Sequence, residues 1–439
     1  MSRVAFRTIG CKINQCETAQ MQEALTADDY LVVDWDSPAD VRVINTCTVT
    51  SRSDKTCRNE IRHAKRLDPH CVVVVTGCYA QVDADAIAEI PGVDLVLGNL
   101  DKRDLSGYLR DRRAGGPLVA VSAYVDRPRF ESESFTSFHG YTRAFLKVQN
   151  GCDSRCAYCI IPLARGPARS MPKDEVLAQV DILAARGFRE VVLTGINLGS
   201  WGCDIDEGSP ADLLRALIGR DRPERYRLSS IEPLETDAAL QDVIFEAGGR
   251  IAHHFHLPLQ SGSDAVLRRM NRPYTAAQYL DVVESLARRF PDAALGADLI
   301  AGFPGETDEE FQETLSFVEH SPLTYLHVFS YSDRPQTVAS KLRPKVSPET
   351  IHERSVLLRA LGERKKESFR RRMIGTEQRV LILNRRSPEG RLVGLSGNYL
   401  EILLDGGDEL MNHFAWARVD TVLDDGYCEG TLVRVEGDR

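Results

Sequence analysis

The sequence predicts an α/β protein in three parts: an N-terminal parallel α/β domain, a central partial (β/α)6 barrel and a small C-terminal β-barrel. Strand and helix patterns alternate over residues 1–125 and again over 142–342, which is typical of parallel sheets whose strands are joined by helices. After residue 373 the pattern changes to short strands separated by glycines and aspartates. Because the stretch 115–140 is rich in Gly, Ser and Pro and reads as a linker, we predict domains at 1–125, 138–372 and 373–439.

Four strands and two long helices are predicted in the N-terminal domain. The strands cover 4–6, 41–44, 71–75 and 93–97, the helices cover 14–25 and 51–66, and a further helix begins near Tyr79. A cysteine follows three of these strands, at Cys11, Cys47 and Cys78. Because the carboxyl ends of parallel strands meet at one edge of a sheet, we expect these three thiols to converge there.

Six further strands predict the central barrel. They cover 144–148, 190–193, 225–229, 253–257, 293–300 and 326–330. Barrels of this kind carry their chemistry at the carboxyl ends of the strands. The loop that follows the first strand contains Cys152, Cys156 and Cys159 in a CxxxCxxC spacing, so these thiols are expected at the reactive end.

The CxxxCxxC loop indicates an iron–sulfur site. Three thiolates can each bind one iron of a cubane cluster and leave the fourth iron open to an outside ligand. A zinc site, which normally has four protein ligands, and ordinary core cysteines remain alternatives. A disulfide framework is not expected, because the chain is long and begins without a signal-peptide pattern. A second open cluster is the simplest interpretation of Cys11, Cys47 and Cys78, with buried core cysteines as the alternative.

Composition and charge limit the classes of partner. The 439 residues are 43% hydrophobic and 27% charged, and no apolar run reaches the length of a bilayer, so no membrane association is expected. Eleven cysteines without a secretory leader indicate a cytoplasmic protein. The net charge is −9, yet residues 352–391 contain 12 Lys and Arg against 5 Asp and Glu, a local balance of +7. This distribution fits a localised polyanion contact, with a solvated helix face as an equal alternative.

The C-terminal part begins with a long charged helix, predicted over 348–373. Short strands follow at 380–383, 391–395, 399–404 and 432–435. Small β-barrels of this type often bind RNA, and a purely structural barrel is the alternative.

Several motifs resemble one known enzyme family. The CxxxCxxC loop, with Tyr158 before its last cysteine, resembles that of the radical S-adenosylmethionine enzymes. With three cysteines ahead of this loop, the chain is similar to their methylthiotransferase branch, and its C-terminal module is similar to the RNA-binding TRAM domain. The resemblance covers nearly the whole chain. Further matching segments are IIPLARG at 160–166, LTGINLG at 193–199, LSSIEP at 228–233, PLQSGS at 258–263 and DLIAGFPGE at 298–306.

One segment points to a subgroup of this family. Residues 10–15, Gly-Cys-Lys-Ile-Asn-Gln, resemble the subgroup that acts on threonylcarbamoyladenosine in tRNA. The subgroups that act on isopentenyladenosine or on a ribosomal-protein aspartate usually have Gln-Met or Pro-Lys after that cysteine. Segment 332–337, Ser-Asp-Arg-Pro-Gln-Thr, departs from the family, which more often has Pro after Ser and Gly before Thr. This departure bears on substrate fit.

The resemblance implies two [4Fe-4S] clusters and S-adenosylmethionine as cofactors. Cys152, Cys156 and Cys159 would hold the cluster that binds and cleaves S-adenosylmethionine, and the resulting radical would remove hydrogen from an aromatic carbon. Cys11, Cys47 and Cys78 would hold an auxiliary cluster that delivers sulfur, and a second S-adenosylmethionine would supply the methyl group. No catalytic side chain is assigned, because the cofactors carry the difficult chemistry. Candidate contacts to S-adenosylmethionine are Tyr158, Gly195, Asn197, Ser230, Glu232 and Gln260.

Three further groups of residues invite a functional interpretation. We interpret His253, His254 and His256 as packing or cleft-lining residues and not as metal ligands. Four arginines near the cluster loop could contact tRNA phosphates, with internal salt bridges as an equal alternative. These are Arg143, Arg155, Arg165 and Arg169. The remaining cysteines are expected to be ordinary thiols. These are Cys16, Cys57, Cys71, Cys203 and Cys428.

The resemblance therefore predicts methylthiolation at C2 of N6-threonylcarbamoyladenosine beside the anticodon. Its expected partners are the anticodon stem-loop of tRNA, S-adenosylmethionine, an electron donor and a sulfur source. One alternative is the same chemistry on isopentenyladenosine or on a ribosomal-protein aspartate. An alternative of a different class is a non-catalytic protein that binds zinc and RNA.

Overall fold

The computed structural model describes residues 1–111, 116–124, 129–130, 135–136, 140–221 and 223–437. They form two compact units, each assembled from separate stretches of the chain. The first unit comprises 1–139, 147–171 and 332–341, and the second comprises 140–146, 172–331 and 342–439. The predicted α/β class is confirmed, whereas the domain limits at 125, 138 and 373 remain a prediction.

The first unit contains a six-stranded parallel sheet in the order β2-β1-β3-β4-β5-β6. Its strands are β1 Arg3–Thr8, β2 Leu31–Val33, β3 Val41–Thr46, β4 Val72–Gly77, β5 Leu95–Leu97 and β6 Leu118–Ala120. Its helices are α1 Lys12–Ala27, α2 Ser51–Leu67, α3 Cys78–Val82, α4 Ala84–Ala88 and α5 Leu105–Arg110. All four predicted strands are present. The edge strands β2 and β6 were not predicted, because three residues are too few to show a periodicity.

Alternate residues of the central strands pack on opposite faces of this sheet. Ile44 and Val75 contact the α2 side, whereas Val43 and Val74 contact the α1 side. Strands buried on both faces give the continuous apolar runs seen in the sequence. Strand β6 lies inside the predicted linker 115–140, so part of that segment is ordered sheet. Residues 115, 125–128, 131–134 and 137–139 of the linker lie outside the described residues.

The middle of the chain forms the predicted partial barrel. Six strands are arranged as β7-β10-β11 and β12-β13-β14; the pairs β10-β11, β12-β13 and β13-β14 are parallel, and a parallel bridge between Tyr226 and Ile251 lies between the two groups. The strands of this region are β7 Ala144–Lys147, β8 Gln149–Asn150, β9 Arg169–Ser170, β10 Glu190–Thr194, β11 Arg225–Leu228, β12 His254–His256, β13 Ala294–Ala301 and β14 Tyr325–Ser330. The helices are α6 Ile161–Arg165, α7 Lys173–Ala185, α8 Pro210–Ile218, α9 Ala238–Glu246, α10 Asp264–Arg269, α11 Ala276–Arg289, α12 Asp308–His320 and α13 Pro348–Arg372.

Several of these helices begin with a capping motif written in the sequence. The side chains of Ser209, Thr275 and Thr307 each accept a hydrogen bond from the backbone amide three residues later. The side chain of that later residue in turn accepts a hydrogen bond from the backbone amide of the Ser or Thr. Such reciprocal caps satisfy two amide groups at a helix start. They fix where α8, α11 and α12 begin, and hence the lengths of the loops at the strand ends.

The C-terminal residues form a closed five-stranded barrel in the order β15-β16-β17-β19-β18. The strands are β15 Glu377–Arg386, β16 Leu392–Ser396, β17 Glu401–Leu404, β18 Phe414–Val422 and β19 Cys428–Val435. Strand β18 was not predicted. Its inward residues are Ala415, Ala417 and Val419, and two alanines give a weak strand signal. No helix among the described residues has the length and apolarity to cross a membrane.

A buried carboxylate, Glu190, joins the two barrels within the second unit. It faces Arg225, Arg227 at 2.9 Å and Arg143 at 3.3 Å. Burial opposes ionisation of Glu190, but these three guanidinium groups hold its pKa well below the usual range. Arg225 and Arg227 also donate to the backbone oxygens of residues 395, 396 and 397 in the C-terminal barrel.

Replacing Glu190 by Ala should lower the free energy of unfolding by about 3–5 kcal/mol, because three buried guanidinium groups lose their counter-charge. Guanidinium chloride unfolding at pH 7 measures this change. Glu284→Ala is the matched control: Glu284 pairs with Arg288 on an exposed helix surface, and its loss should cost about 0.5 kcal/mol or less. Equal unfolding midpoints for the two variants would contradict this role.

The same interaction predicts a pH dependence. The folded pKa of Glu190 is depressed, so its stabilising effect is complete above the unfolded pKa of about 4.3 and is lost as the pH falls below it. The Glu190→Ala variant should therefore lose less stability than the parent chain between pH 5 and pH 3. Parallel losses would show that other carboxylates dominate acid unfolding.

Candidate functional site

Three cysteines lie at one edge of the N-terminal sheet, where the sequence places them. Cys47 directly follows β3, Cys78 directly follows β4, and Cys11 precedes α1 just after β1. These strands are neighbours in the order β1-β3-β4. Cys47 and Cys78 are buried, whereas Cys11 is exposed, so one side of the group is open to solvent.

Two glycines allow the three loops to approach each other closely. Gly10 has a φ of +110°, and a Cβ there would lie 2.7 Å from Cβ of Cys47. Gly77 has a φ of +95°, and a Cβ there would lie 2.4 Å from the backbone oxygen of Thr46. Any other residue at either position would be strained and would push the cysteine loops apart.

The electrostatics of this group suit a metal centre. Burial, together with repulsion from the neighbouring Cys78 and Cys11 thiolates, raises the pKa of Cys47 to about 11. Burial raises the pKa of Cys11 as well, so these two thiols resist ionisation unless a metal ion is bound, and a coordinated thiol loses its proton outright. The donor set thus fits the iron ions of a cluster. Cys57 also lies here, since its thiol donates to the backbone oxygen of Cys47 at 3.4 Å.

Arg165 is the cation closest to these thiols. Its Nε donates to Sγ of Cys78 at 3.2 Å, and its terminal nitrogens donate to Glu17 at 2.6 Å and to Asn14 at 2.5 Å. Glu17 also pairs with Lys102 at 2.6 Å. The three hydrogen bonds fix the fully buried guanidinium against the thiol edge.

Three of the four arginines suggested as tRNA contacts bind groups within the protein instead. Arg165 and Arg169 are buried, and Arg169 donates to the backbone oxygens of residues 165 and 167. Arg143 pairs with Glu190. The alternative of contacts within the fold is therefore correct for these three, and only Arg155 of the four is exposed.

The CxxxCxxC loop belongs to the same unit as the first three cysteines. It is held by the returning backbone: the amide of Cys152 donates to the oxygen of Gly166 at 3.1 Å, and Asp153 accepts from the amide of Ala168 at 3.1 Å. A Cβ at Gly151 would lie 1.9 Å from the oxygen of Pro167, so glycine is required for this approach. The three cysteines of the loop and Tyr158 are half-buried, which leaves the thiols accessible to a cluster.

A distant segment, 332–341, packs on both sets of loops. The side chain of Arg334 pairs with Asp54 at 2.6 Å and contacts the hydroxyl of Thr48, next to Cys47. The amide of Ala339 donates to the oxygen of Ala157 inside the CxxxCxxC loop at 2.8 Å. In the sequence, 332–337 was notable only because it departs from the family pattern. Its contact with the cysteine loops was not predicted, because Arg334 and Asp54 are 280 residues apart and leave no local signal.

The candidate S-adenosylmethionine contacts other than Tyr158 lie after neighbouring strands of the second unit. Asn197 donates to Glu235 at 2.9 Å, and Ser230 shares a hydrogen bond with His256 at 2.7 Å. Glu232 forms an ion pair with Arg272. Gly195 follows β10 and Gln260 follows β12, and the amide of Gln260 donates to the oxygen of residue 298 at 2.7 Å. Three strand ends thus present backbone and side-chain polar groups.

The three neighbouring histidines divide between the two sides of β12. His253 pairs with Asp292 at 3.1 Å on one side, and His254 bonds the hydroxyl of Tyr325 at 2.7 Å on the other. His256 lies instead beside Asp298. Burial disfavours the charge of Asp298, but His256 and the neighbouring His327 lower its pKa to about 2. The three histidines therefore have different partners, and their interpretation as packing or cleft-lining residues stays a prediction.

The remaining cysteines are dispersed. Cys16, Cys57, Cys71 and Cys428 are buried and Cys203 is exposed. Cys57 lies beside Cys47, and Cys16 is close enough to Cys11 for that thiol to contribute to its raised pKa, so the interpretation of the five as ordinary thiols stays a prediction. Burial raises the pKa of Cys57 to about 12, so it stays protonated beside the three candidate ligands.

Comparisons with known proteins identify the relatives of this chain. The radical SAM superfamily model matches residues 146–318, and the model of the uncharacterized protein family UPF0004 matches residues 3–98. The threonylcarbamoyladenosine tRNA methylthiotransferase MtaB of Aquifex aeolicus is 40% identical over 93% of this chain and 98% of its own length. The Bacillus subtilis protein of the same name is 37% identical over 100% and 98%.

A second group of relatives carries a different name. The tRNA-2-methylthio-N(6)-dimethylallyladenosine synthase of Aromatoleum aromaticum is 32% identical over 94% of this chain and 95% of its own. Among solved structures, the radical S-adenosylmethionine methyltransferase TsrM from Kitasatospora setae matches with a TM-score of 0.57 and 18% identity, covering 77% of both chains. At that identity the likeness establishes the fold.

The pKa of Cys47 can be tested by alkylation of cluster-free protein. Because Cys47 titrates at about pH 11, its reaction with iodoacetamide should rise about tenfold per pH unit from pH 7 to pH 9.5 without a plateau. Mass spectrometry of peptides gives the rate for each cysteine, and the exposed Cys203 is the internal control for reagent access. A plateau for Cys47 below pH 9 would show that its thiol ionises readily.

Proposed function

This chain belongs to the threonylcarbamoyladenosine tRNA methylthiotransferase family, and we propose that it attaches a methylthio group to C2 of N6-threonylcarbamoyladenosine beside the anticodon of tRNA. Full-length similarity carries this conclusion: relatives of that name are 37–40% identical over 93–100% of the chain. Two further observations support it: three cysteines follow neighbouring strands of the N-terminal sheet, and the radical SAM superfamily model matches residues 146–318.

Two [4Fe-4S] clusters and S-adenosylmethionine are the cofactors. We assign one cluster to Cys152, Cys156 and Cys159 and the auxiliary cluster to the cysteines that follow β1, β3 and β4. Each set has three thiols, so one iron of each cluster remains open. When bound, these groups supply the electron, the radical chemistry at an unactivated aromatic carbon and the sulfur, none of which side chains can provide.

The protein's own side chains position and screen these groups. Arg165 donates to Cys78 and so delocalises the charge of a thiolate and fixes its direction. Lys102 and Lys147 share the carboxylate of Glu17, which leaves surplus positive charge beside the thiols. The buried cysteine edge limits the access of water to all but the side of Cys11.

The contacts to S-adenosylmethionine are part of the proposal. Gly195 and Asn197 after β10 would lie along its methionine end, where a turn without a side chain allows close approach. Ser230, Glu232 and Gln260 would bind its ribose or amino group. Tyr158 would contact it from the cluster loop. Because Glu232 is paired with Arg272, this contact requires Glu232 to share or exchange that partner.

The C-terminal barrel and α13 form the proposed tRNA-binding part, a TRAM-like domain at 373–439. The exposed basic side chains of α13 include Arg364, Lys366, Arg371 and Arg372. Arg371 pairs with Glu367, which leaves the others available to phosphates of the anticodon stem-loop. The auxiliary cluster would belong to the domain at 1–125 and the other cluster to the domain at 138–372. We propose that the chain acts in the cytoplasm, together with an electron donor and a sulfur source.

A second candidate substrate is N6-dimethylallyladenosine in tRNA, because relatives named for it are 32% identical over 94% of the chain. The first candidate is favoured by higher identity and by the Lys-Ile pair that follows Cys11. The two substrates differ in charge, since the threonyl group carries a carboxylate and the dimethylallyl group is apolar.

Mass spectrometry of tRNA nucleosides tests the substrate directly. A strain without this gene should lose 2-methylthio-N6-threonylcarbamoyladenosine and accumulate the unmodified precursor, and complementation should restore it. Loss of the dimethylallyl derivative instead would select the second candidate. An unchanged nucleoside profile would exclude both and leave a protein substrate or the non-catalytic alternative.

Single cysteine variants separate the two cluster roles. Cys156→Ala should abolish the formation of 5′-deoxyadenosine together with the methylthio product. Cys47→Ala should retain 5′-deoxyadenosine formation and lose the product, because only sulfur delivery is affected. Cys203→Ala, at an exposed thiol outside both sets, is the matched control and should retain both activities. Identical losses in the first two variants would contradict the assignment.

A further inference from the structure

A second group of metal-binding side chains lies in the partial barrel, away from the six cluster cysteines in sequence. His256, Asp298 and His327 come from the adjacent strands β12, β13 and β14. Their ligand atoms lie within 4.8 Å of one another. Asp298 of β13 is paired directly with His327 of β14. His256 of β12 is paired with Gly296, which lies two residues before Asp298 on β13. The sheet register itself therefore brings the three side chains together.

The imidazole of His256 is oriented like a metal ligand. Its Nδ1 is held by the hydroxyl of Ser230 at 2.7 Å, which fixes the ring. Its Nε2 lies 3.1 Å from Oδ1 of Asp298 but makes no hydrogen bond of acceptable geometry, although the residue is only 8% exposed. A buried nitrogen without a hydrogen-bond partner is costly. Metal-bound histidines commonly have one ring nitrogen on the metal and the other held by a second group.

His327 completes the set on the open side. Its Nδ1 lies 3.4 Å from the same oxygen of Asp298, so one carboxylate oxygen faces two imidazole nitrogens. The side chain of His327 is 56% exposed and that of Asp298 is 22% exposed, which gives an ion a route from solvent. The ring centroids of His256 and His327 are 5.0 Å apart.

Tyr325 closes the group from one side. Its ring centroid lies 6.0 Å from that of His256 and 5.4 Å from that of His327. The ring fits only because residue 296 is glycine, where a Cβ would lie 1.9 Å from the tyrosine ring.

We propose that Nε2 of His256, Oδ1 of Asp298 and Nδ1 of His327 bind a divalent first-row transition ion of the zinc class. Two imidazoles and one carboxylate are a ligand set that such ions accept, and three protein ligands leave a position open to an oxygen donor. The three ligands lie outside the residues proposed to hold the clusters and S-adenosylmethionine, and only Ser230, which orients His256, is shared with them.

Metal analysis of the cluster-loaded enzyme tests this proposal. After anaerobic reconstitution, equilibration with Zn²⁺ and desalting, the protein should retain about one zinc beside roughly eight irons, the content of two cubane clusters. Asp298→Asn and His327→Gln should lose the zinc with iron and sulfide unchanged. Ser230→Ala should weaken zinc binding by about 10–100-fold, the usual effect of losing a group that orients a ligand.

The control is Asp292→Asn, which breaks the single His–Asp pair formed by His253 on the opposite side of the same strand. It should retain zinc. X-ray absorption at the zinc edge should show nitrogen and oxygen neighbours without sulfur. Sulfur ligation, the absence of stoichiometric zinc, or equal zinc content in the parent and in His327→Gln would overturn the proposal. Because His327 is largely exposed, its variant gives a result even if Asp298→Asn fails to fold.

Discussion

The hydrogen bonds of one buried guanidinium, that of Arg165, hold the cysteine site together. This side chain ends the helix that follows the CxxxCxxC loop, and it contacts Cys78 of one cysteine set and two residues of α1. Burying an unpaired ion costs several kcal/mol, so Arg165 and Glu17 must reach each other for the unit to fold. The loop that carries Cys78 and the CxxxCxxC loop therefore cannot shift independently.

The charges around Glu17 also explain why thiols can be gathered there. Glu17 faces Arg165, Lys102 and Lys147, and these cations hold its pKa well below the usual range although burial acts in the opposite direction. Three cations against one carboxylate leave an excess of positive charge. Cys78 lies against that excess, where a thiolate bound to iron is stabilised. The positive charge of this network is therefore compensated when the cysteines are thiolate ligands and is not compensated when they are neutral thiols.

Much of the fold could be predicted from the sequence, because its signals are local. A continuous apolar run predicted β4, the valine-rich segment 41–44 predicted β3, and CxxxCxxC spacing or a position after a strand marked all six cysteines. The edge strand β2 and the alanine-rich β18 gave no such signal. At the site, Arg334 and the group around Asp298 could not be predicted, since register and packing across 280 residues create those contacts. The sequence therefore indicated the six candidate cysteine ligands but not the side chains that pack around them.

The first unit is discontinuous, and this has a consequence for how the protein is made. Segment 332–341 completes it by joining Arg334 to Asp54, after more than 150 intervening residues that fold into the other unit. During synthesis on the ribosome, the N-terminal sheet therefore emerges long before its last segment does. A fragment that stops at residue 171 would leave the buried carboxylate of Asp54 without its cation. Iron insertion before segment 332–341 has emerged would therefore meet an incomplete unit.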